Sequence, residues 1–143
     1  MKRVFSVFLI VCTCVHLAAC GLFGMQSYKC NENDVESIEI VSIDAYPEQP
    51  GEMYKYSVVG NVTEISEFVT RLNSMDFSKN WGDPTVMKEG YNVIKINYFN
   101  GACDLIHYRA QRFFTADGQV STGYFFFDKE QYTELIKRYN STD

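Results

Sequence analysis

The sequence has little positive charge. Its 143 residues include 13 Lys and Arg against 18 Asp and Glu, which gives a net charge of −5. Binding to nucleic acid depends on Lys and Arg side chains that neutralise phosphates, and adsorption to anionic lipids depends on the same charges. The composition therefore disfavours nucleic acid as a partner, and it disfavours a lipid surface held by charge alone.

The sequence also lacks the short motifs of common catalytic and cofactor sites. It contains no G-x-S-x-G, H-E-x-x-H, G-x-G-x-x-G, P-loop or C-x-x-C pattern. Residues 83–90 include two acids and Lys88, but not the D-x-D-x-D-G ladder of a calcium loop. Glutamates recur at helical spacing, but such a pattern is expected on the solvent-exposed face of an amphipathic helix and does not by itself indicate a catalytic site. We therefore predict no catalytic residues, no metal site and no cofactor.

The apolar stretch at the N-terminus is too short for a membrane span. It covers residues 4–19, whereas about 20 residues are needed to cross roughly 30 Å of hydrocarbon. The stretch follows Lys2 and Arg3 and ends in small residues. This pattern is typical of a secretory signal peptide.

The end of the stretch, Leu17-Ala18-Ala19-Cys20, resembles the lipobox of bacterial lipoproteins. The resemblance implies that the thiol of Cys20 receives a diacylglycerol and that cleavage after Ala19 makes Cys20 the first mature residue. Two acyl chains suffice for stable anchoring, because each buried methylene contributes about 0.8 kcal/mol. An ordinary signal peptide and an uncleaved N-terminal helix are the alternatives.

The same resemblance implies a domain outside the cytoplasm, attached by its lipid to the cell membrane or the outer membrane. Residues 1–19 would be the signal peptide, 20–36 a lipidated N-terminus and tether, and 37–140 a single domain. Without Lys2 and Arg3, 11 basic and 18 acidic residues remain, a net charge of −7. The mature part is similar to other small bacterial lipoproteins, but it carries no motif of a named domain.

Three cysteines belong to the mature chain: Cys20, Cys30 and Cys103. If Cys20 is acylated, two thiols remain in a compartment where disulfides form. A bridge between Cys30 and Cys103 would close a long loop and contribute about 4 kcal/mol in the entropic account. The alternative is two unpaired thiols buried as small apolar groups, and spacing does not choose between the two.

Hydrophobic periodicity predicts an α+β domain with the order β-β-α-β-β-β-α. Strand-like segments at 37–44 and 53–60 should pair as a hairpin. Strands around Asn100-Gly101 and Asp117-Gly118 should form a three-stranded antiparallel meander, with a type I′ turn at Asn-Gly. Helices are predicted at 61–75 and 128–140, with capping boxes at Asn61/Glu64 and Asp128/Gln131. Two amphipathic helices would cover one face of a sheet of about five strands.

His107 is the one histidine that follows the leader, so any histidine-based catalysis must use it. It shares a strand face with Cys103 and Leu105. Cys103 lies about 13 Å away along the strand, too far to share a metal ion. Packing on the sheet is the simpler interpretation, and an enzyme that uses His107 is the less favoured one.

Consecutive aromatic residues at 113–114 and 124–127 must point to both faces of the sheet. One set packs under the helices. The other set is either covered by the tether or by residues 76–90, which we favour, or exposed for a protein, peptide or glycan partner. The candidate interaction residues are Trp81, Phe113, Tyr124 and Phe126. The predicted function is a non-catalytic binding or inhibitory module at the cell envelope, with a structural envelope component as the alternative.

Overall fold

The computed structural model describes residues 28–49, 52–79, 87–123 and 125–140. The strands are β1 (Val35–Ala45), β2 (Lys55–Asn61), β3 (Phe77–Lys79), β4 (Asn92–Tyr98), β5 (Cys103–His107), β6 (Ala110–Phe114), β7 (Val120–Gly123) and β8 (Phe125–Phe127), and the helices are α1 (Ile65–Ser74) and α2 (Lys129–Tyr139). Six strands form one sheet in the order β2-β1-β4-β5-β6-β7, and β3 pairs with β8 in a second sheet. All of these pairings are antiparallel.

The α+β class is confirmed, whereas the strand count and order differ from the prediction. The meander from β4 to β7 has four strands instead of three. The aromatic residues 125–127 do not continue β7, because they form β8, which leaves the large sheet and pairs with β3. A strand of three residues is too short to show the alternation by which a strand is predicted, so β3 is absent from the prediction. Residues 125–127 were predicted as part of the meander, and only their pairing differs.

The longest strand of the sheet is β1, with 11 residues. It pairs with β2 on one side, as the predicted hairpin requires, and with β4 on the other. Side chains alternate along it, so Ile38 and Ile40 enter one hydrophobic cluster while Val41 and Ile43 enter another. Both faces of the sheet are therefore buried along β1.

The two helices pack on the same face of the sheet. Their buried residues, Phe68, Val69 and Leu72 from α1 and Tyr132, Leu135 and Ile136 from α2, belong to a single cluster with Ile38, Ile40, Ile94, Ile96 and Ile106. The opposite face has its own cluster, which includes Tyr54, Met87 and Phe114. Met87 precedes β4 and is fully buried, so the second face is covered there by a residue of the 76–90 segment.

The predicted type I′ turn at Asn100-Gly101 is wrong. No non-glycine residue in the described ranges has a positive φ, whereas Gly101 has φ 80° and Gly118 has φ 82°. A type I′ turn needs positive φ at both central residues. Instead, the side chain of Asn100 accepts a hydrogen bond from the backbone N–H of Ala102 at 2.9 Å, a local bond that short polar side chains make in turns.

One of the two predicted N-caps is confirmed, although its capping box is not completed: Oε1 of Gln131 accepts from the N–H of Asp76 at 3.2 Å, and the N–H of Asp128 donates to the carbonyl of Asp76 at 3.0 Å. The carboxylate of Asp128 accepts hydrogen bonds from the N–H groups of Glu130 and Gln131, at 3.0 and 2.9 Å, at the start of α2. The box at Asn61 is wrong, because Asn61 belongs to β2 and the N-cap of α1 is Glu64, which makes no side-chain cap bond. The strand continues to the position at which the cap was expected.

The C-terminus of α2 lies directly against β2 at Gly60. A Cβ atom at position 60 would lie 2.1 Å from the carbonyl oxygen of Tyr139. Only glycine allows two backbones to approach this closely. This contact fixes the end of α2, and therefore the position of Asn140, relative to the sheet.

Candidate functional site

A cavity of about 410 Å³ lies where the end of β5 and the start of β4 meet α2. We name it the His107 pocket. Its walls include the aromatic rings of Tyr91, His107, Tyr108 and Tyr132, together with Ile136 and Asn140. Its volume falls within the range of about 300–1,000 Å³ that is usual for small-molecule sites.

His107 is the central side chain of this pocket. It is the last residue of β5 and only 4% exposed. Its ring is stacked on Tyr91, with centroids 4.6 Å apart and planes at 15°, and it lies 4.2 Å from the ring of Tyr108. Burial, together with the positive charge of Arg109, lowers the pKa of His107 to about 4. The imidazole is therefore neutral at pH 7.

Tyr132 supports the floor of the pocket from α2. Its ring lies edge-on to His107 at 5.8 Å, and its hydroxyl donates to the carbonyl of Ile106 at 2.8 Å and lies 3.1 Å from that of Asn92. These carbonyls belong to β5 and β4. A buried tyrosine usually finds such a partner for its hydroxyl, and here the bond also fixes α2 against two strands.

The remaining polar lining comes from one face of α2 and the residue that ends it. Thr133, Lys137 and Asn140 are spaced at i, i+4 and i+7 and line the same cavity. The hydroxyl of Thr133 donates to the carbonyl of Lys129 at 2.7 Å. Lys137 is exposed at the rim, and it is the one charged side chain among the described residues that line the pocket.

Two buried polar atoms of the pocket lack a hydrogen-bond partner. They are Nδ1 of His107 and Oδ1 of Asn140, and the described residues contain no other buried side-chain nitrogen or oxygen without one. Leaving such an atom unpaired costs about 1–3 kcal/mol. The residues His107 and Asn140 both line this cavity, but the two atoms themselves are buried in the protein.

A second polar cluster lies around Asp104, which is 3% exposed. Its Oδ2 accepts hydrogen bonds from the hydroxyls of Tyr28 and Tyr98 at 3.0 and 2.7 Å, and its Oδ1 accepts from Nε2 of Gln111 at 2.8 Å. Burial raises the pKa of Asp104 above its ordinary value, although these three bonds oppose the shift. Every polar atom of the carboxylate is satisfied, so this cluster acts as structure.

The predicted interaction residue Phe113 lies beside a smaller aromatic patch. Its ring is 6.4 Å from that of Tyr98, and both line a surface depression with Phe99. Phe99 is 70% exposed, more than Phe113, which is half-buried. The sequence did not single out Phe99, because a lone aromatic residue beside a turn has no periodicity.

The two cysteines that were candidates for a disulfide are free buried thiols. Cys30 belongs to the cluster under the helices and Cys103 to the cluster on the opposite face. The sheet separates them, so the bridge between them is not formed. The backbone of Cys30 is instead held by Asn73, whose side chain makes two 2.8 Å hydrogen bonds to its N–H and its carbonyl.

Three of the other candidates, Cys20, Trp81 and Tyr124, lie outside the described residues. Phe126 lies in β8, where its backbone pairs with Ser78. Tyr28 and Cys30 are buried in the main cluster, so the part of the predicted tether that the structure describes is packed on the domain.

The described ranges contain no group of three or more His, Cys, Asp or Glu residues that could hold a metal ion. None of the helices in these ranges is both long and apolar enough to cross a membrane. Comparisons with protein families, with curated proteins and with solved structures found no match. The function is therefore inferred from the chain's own residues.

Proposed function

We propose that this protein is a lipid-anchored domain outside the cytoplasm that acts by binding. The leader supports the location: a charged start, an apolar stretch of 16 residues and the motif Leu17-Ala18-Ala19-Cys20. Acylation of Cys20 would supply two chains, enough to hold the domain at a membrane without help from its surface charge. The acidic mature chain, at −7, would not adsorb to an anionic bilayer by itself.

The observation that carries the binding function is the His107 pocket, in which four aromatic rings lie beside the polar side chains of Thr133, Lys137 and Asn140. A pocket with aromatic walls and a few convergent polar groups is the usual form of a small-molecule site. The depression lined by Phe99 and Phe113 is smaller, at about 330 Å³ against about 410 Å³, and fewer aromatic rings line it.

Binding is favoured over catalysis because of the surroundings of His107. A histidine that acts as a general base is oriented by a hydrogen bond from its other nitrogen to a carboxylate or carbonyl. Nδ1 of His107 has no partner within the described residues, and the rings packed around it are tyrosines. Among the described residues, no hydrogen bond from Nδ1 orients the ring for proton transfer.

The anchor is tested by expressing the full chain with a C-terminal tag in bacteria supplied with an alkyne fatty acid. Wild type should incorporate the label and be trimmed to a product that begins at residue 20. Cys20→Ser should lose the label and remain untrimmed. Cys14→Ser, which removes another cysteine of the same leader, is the matched control and should behave like wild type.

Trimming of Cys20→Ser at the wild-type position, or label retained by this variant, would refute the anchor. Mass spectrometry of the N-terminal peptide distinguishes the two results, because a lipidated Cys20 carries the mass of a diacylglyceryl group.

A further inference from the structure

We propose that the end of the domain that carries Phe99 rests on the lipid surface, so that the His107 pocket opens on the side that faces away from the bilayer. This rests on the lipid anchor proposed above and adds the orientation in which the anchored domain is held. Three features of the structure support it: an exposed aromatic ring, the point at which the chain enters the domain, and the position of the pocket at the other end of the same strands.

Phe99 directly follows β4, at the tip of the hairpin formed by β4 and β5. It is 70% exposed, more than any other large apolar side chain of the described residues. Its backbone N–H donates to the carbonyl of Asp34 at 3.1 Å, so the backbone that presents the ring is fixed to the domain. Tyr98 and Phe113 line the depression beside it. Aromatic rings favour the boundary between lipid headgroups and acyl chains.

The chain enters the domain beside the same hairpin. The hydroxyl of Tyr28 donates to Asp104, the second residue of β5, at 3.0 Å, and Sγ of Cys30 lies 3.9 Å from the hydroxyl of Tyr98, the last residue of β4. Eight peptide units join Cys20 to Tyr28, and they span at most about 28 Å. A lipid on Cys20 would therefore keep this end of the sheet close to the bilayer.

The His107 pocket lies at the opposite end of the same two strands. It is lined by Asn92, the first residue of β4, and by His107, the last residue of β5. Asn92 and Tyr98 are six residues apart in the strand, which separates them by about 20 Å at about 3.3 Å per residue. With Phe99 on the lipid, the pocket is held in the aqueous space, where a ligand can reach it.

The charge near Phe99 restricts the lipid that it can meet. No Lys or Arg among the described residues lines the depression, whereas Asp34 does. In the segment 28–36, Glu32, Asp34 and Glu36 are exposed, against one exposed lysine, Lys29. The contact must therefore come from the apolar ring. It should form on neutral headgroups such as phosphatidylcholine, and anionic headgroups should weaken it.

The test measures how deep single tryptophans lie in the full-length lipoprotein, reconstituted in phosphatidylcholine vesicles whose acyl chains carry bromine, a quencher of tryptophan fluorescence. The native Trp81 is replaced by Phe in every protein, so that the introduced tryptophan is the only one. Phe99→Trp should be quenched at least about threefold more than Val58→Trp, since an interfacial ring lies about 5–10 Å into the headgroup and acyl boundary.

Val58→Trp is the matched control, because Val58 is also an exposed apolar residue. It pairs with Val41, six residues along β1 from Val35, the partner of Tyr98. Lys137→Trp, at the rim of the pocket, reports on the other end of the domain and should be quenched as little as Val58→Trp. Addition of phosphatidylglycerol to the vesicles should reduce the quenching of Phe99→Trp.

Equal quenching of Phe99→Trp and Val58→Trp would overturn the orientation, and stronger quenching at position 137 would place the pocket on the bilayer instead. An unquenched Phe99→Trp in a protein that sediments as a dimer in micelles would show that a second copy covers the ring. The mass of each purified protein is measured alongside. If the diacylglyceryl mass is present, these results refute the orientation alone, whereas its absence refutes the anchor and the orientation together.

Discussion

The hydroxyl of Tyr98 donates a 2.7 Å hydrogen bond to Oδ2 of Asp104, which places a carboxylate inside the core beside the helix-covered cluster. Tyr98 belongs to β4 and Asp104 to β5, so the bond crosses the central hairpin of the sheet. Tyr28 and Gln111 donate the other two hydrogen bonds to the carboxylate. A buried acid of this kind is tolerated because all its partners are present.

Removing that carboxylate should destabilise the domain strongly. Asp104→Ala leaves three buried donors without their acceptor, and at roughly 1 kcal/mol for each lost bond we expect a loss of about 3 kcal/mol. Tyr98→Phe removes one of the three bonds to Asp104, together with a weak 3.9 Å contact between the hydroxyl and Sγ of Cys30, and should cost about 1 kcal/mol. The free energy of unfolding is measured by urea denaturation, with Glu36→Ala, at an exposed position of β1, as control. Equal stability of Asp104→Ala and wild type would contradict the role of this cluster.

The buried His107 should make stability depend on pH. Its pKa is lowered to about 4 in the folded state by burial and by Arg109, against about 6.5 in the unfolded chain. The unfolded state therefore takes up a proton first as the pH falls, and stability should decrease between about pH 6.5 and pH 4, by about 3 kcal/mol in total.

The measurement is the free energy of unfolding at several pH values for wild type and for His107→Phe. Because other groups, including Asp104, titrate in acid, the difference between the two proteins isolates the histidine. The difference in unfolding free energy between wild type and His107→Phe should change by about 3 kcal/mol between pH 7 and pH 4. A difference that stays constant over that range would mean that His107 is protonated in the folded state as readily as in the unfolded one.

Gly60 should not tolerate a side chain. An added Cβ would lie 2.1 Å from the carbonyl oxygen of Tyr139, so Gly60→Ala must push the end of α2 away from β2. Such overpacking typically costs about 1–3 kcal/mol. Val58→Ala on the same strand, where the side chain is 47% exposed, should change stability by less than about 1 kcal/mol. Thermal denaturation of both variants gives the comparison.

Cys30 and Cys103 should stay reduced and protected in the native protein. Burial raises the pKa of both thiols, and the thiolate is the reactive form. We expect alkylation with iodoacetamide to be slow in buffer and rapid in urea without reductant. Protein purified in air that gains no label at either cysteine in urea would carry the disulfide instead.

Local signals predicted the long elements well. Helical spacing located α2, because Tyr132, Leu135 and Ile136 recur on one face and Asp128 caps its start. Alternation located β1 and β2, and the pairing of these strands follows from their proximity in the chain. The turn geometry at Asn100 was wrong because a side-chain bond to Ala102 replaced the expected backbone conformation.

The pocket was not predictable in the same way. His107 was noticed as the single histidine after the leader, but its ring partner Tyr91 and the orphaned atom of Asn140 come from segments 16 and 33 residues away in the chain. No spacing rule connects them, since they meet only when α2 packs across β4 and β5.

The sequence alone determined the α+β class, the long strands, the two amphipathic helices and the acidic character of the chain, because each of these depends on neighbouring residues or on composition. Tertiary structure alone decided that Cys30 and Cys103 lie on opposite faces of the sheet. It also decided that the carboxylate of Asp104 finds its hydrogen-bond donors and that His107 and Asn140 line one cavity. These properties arise from contacts between segments that are far apart in the sequence, and no local sequence pattern predicts such contacts.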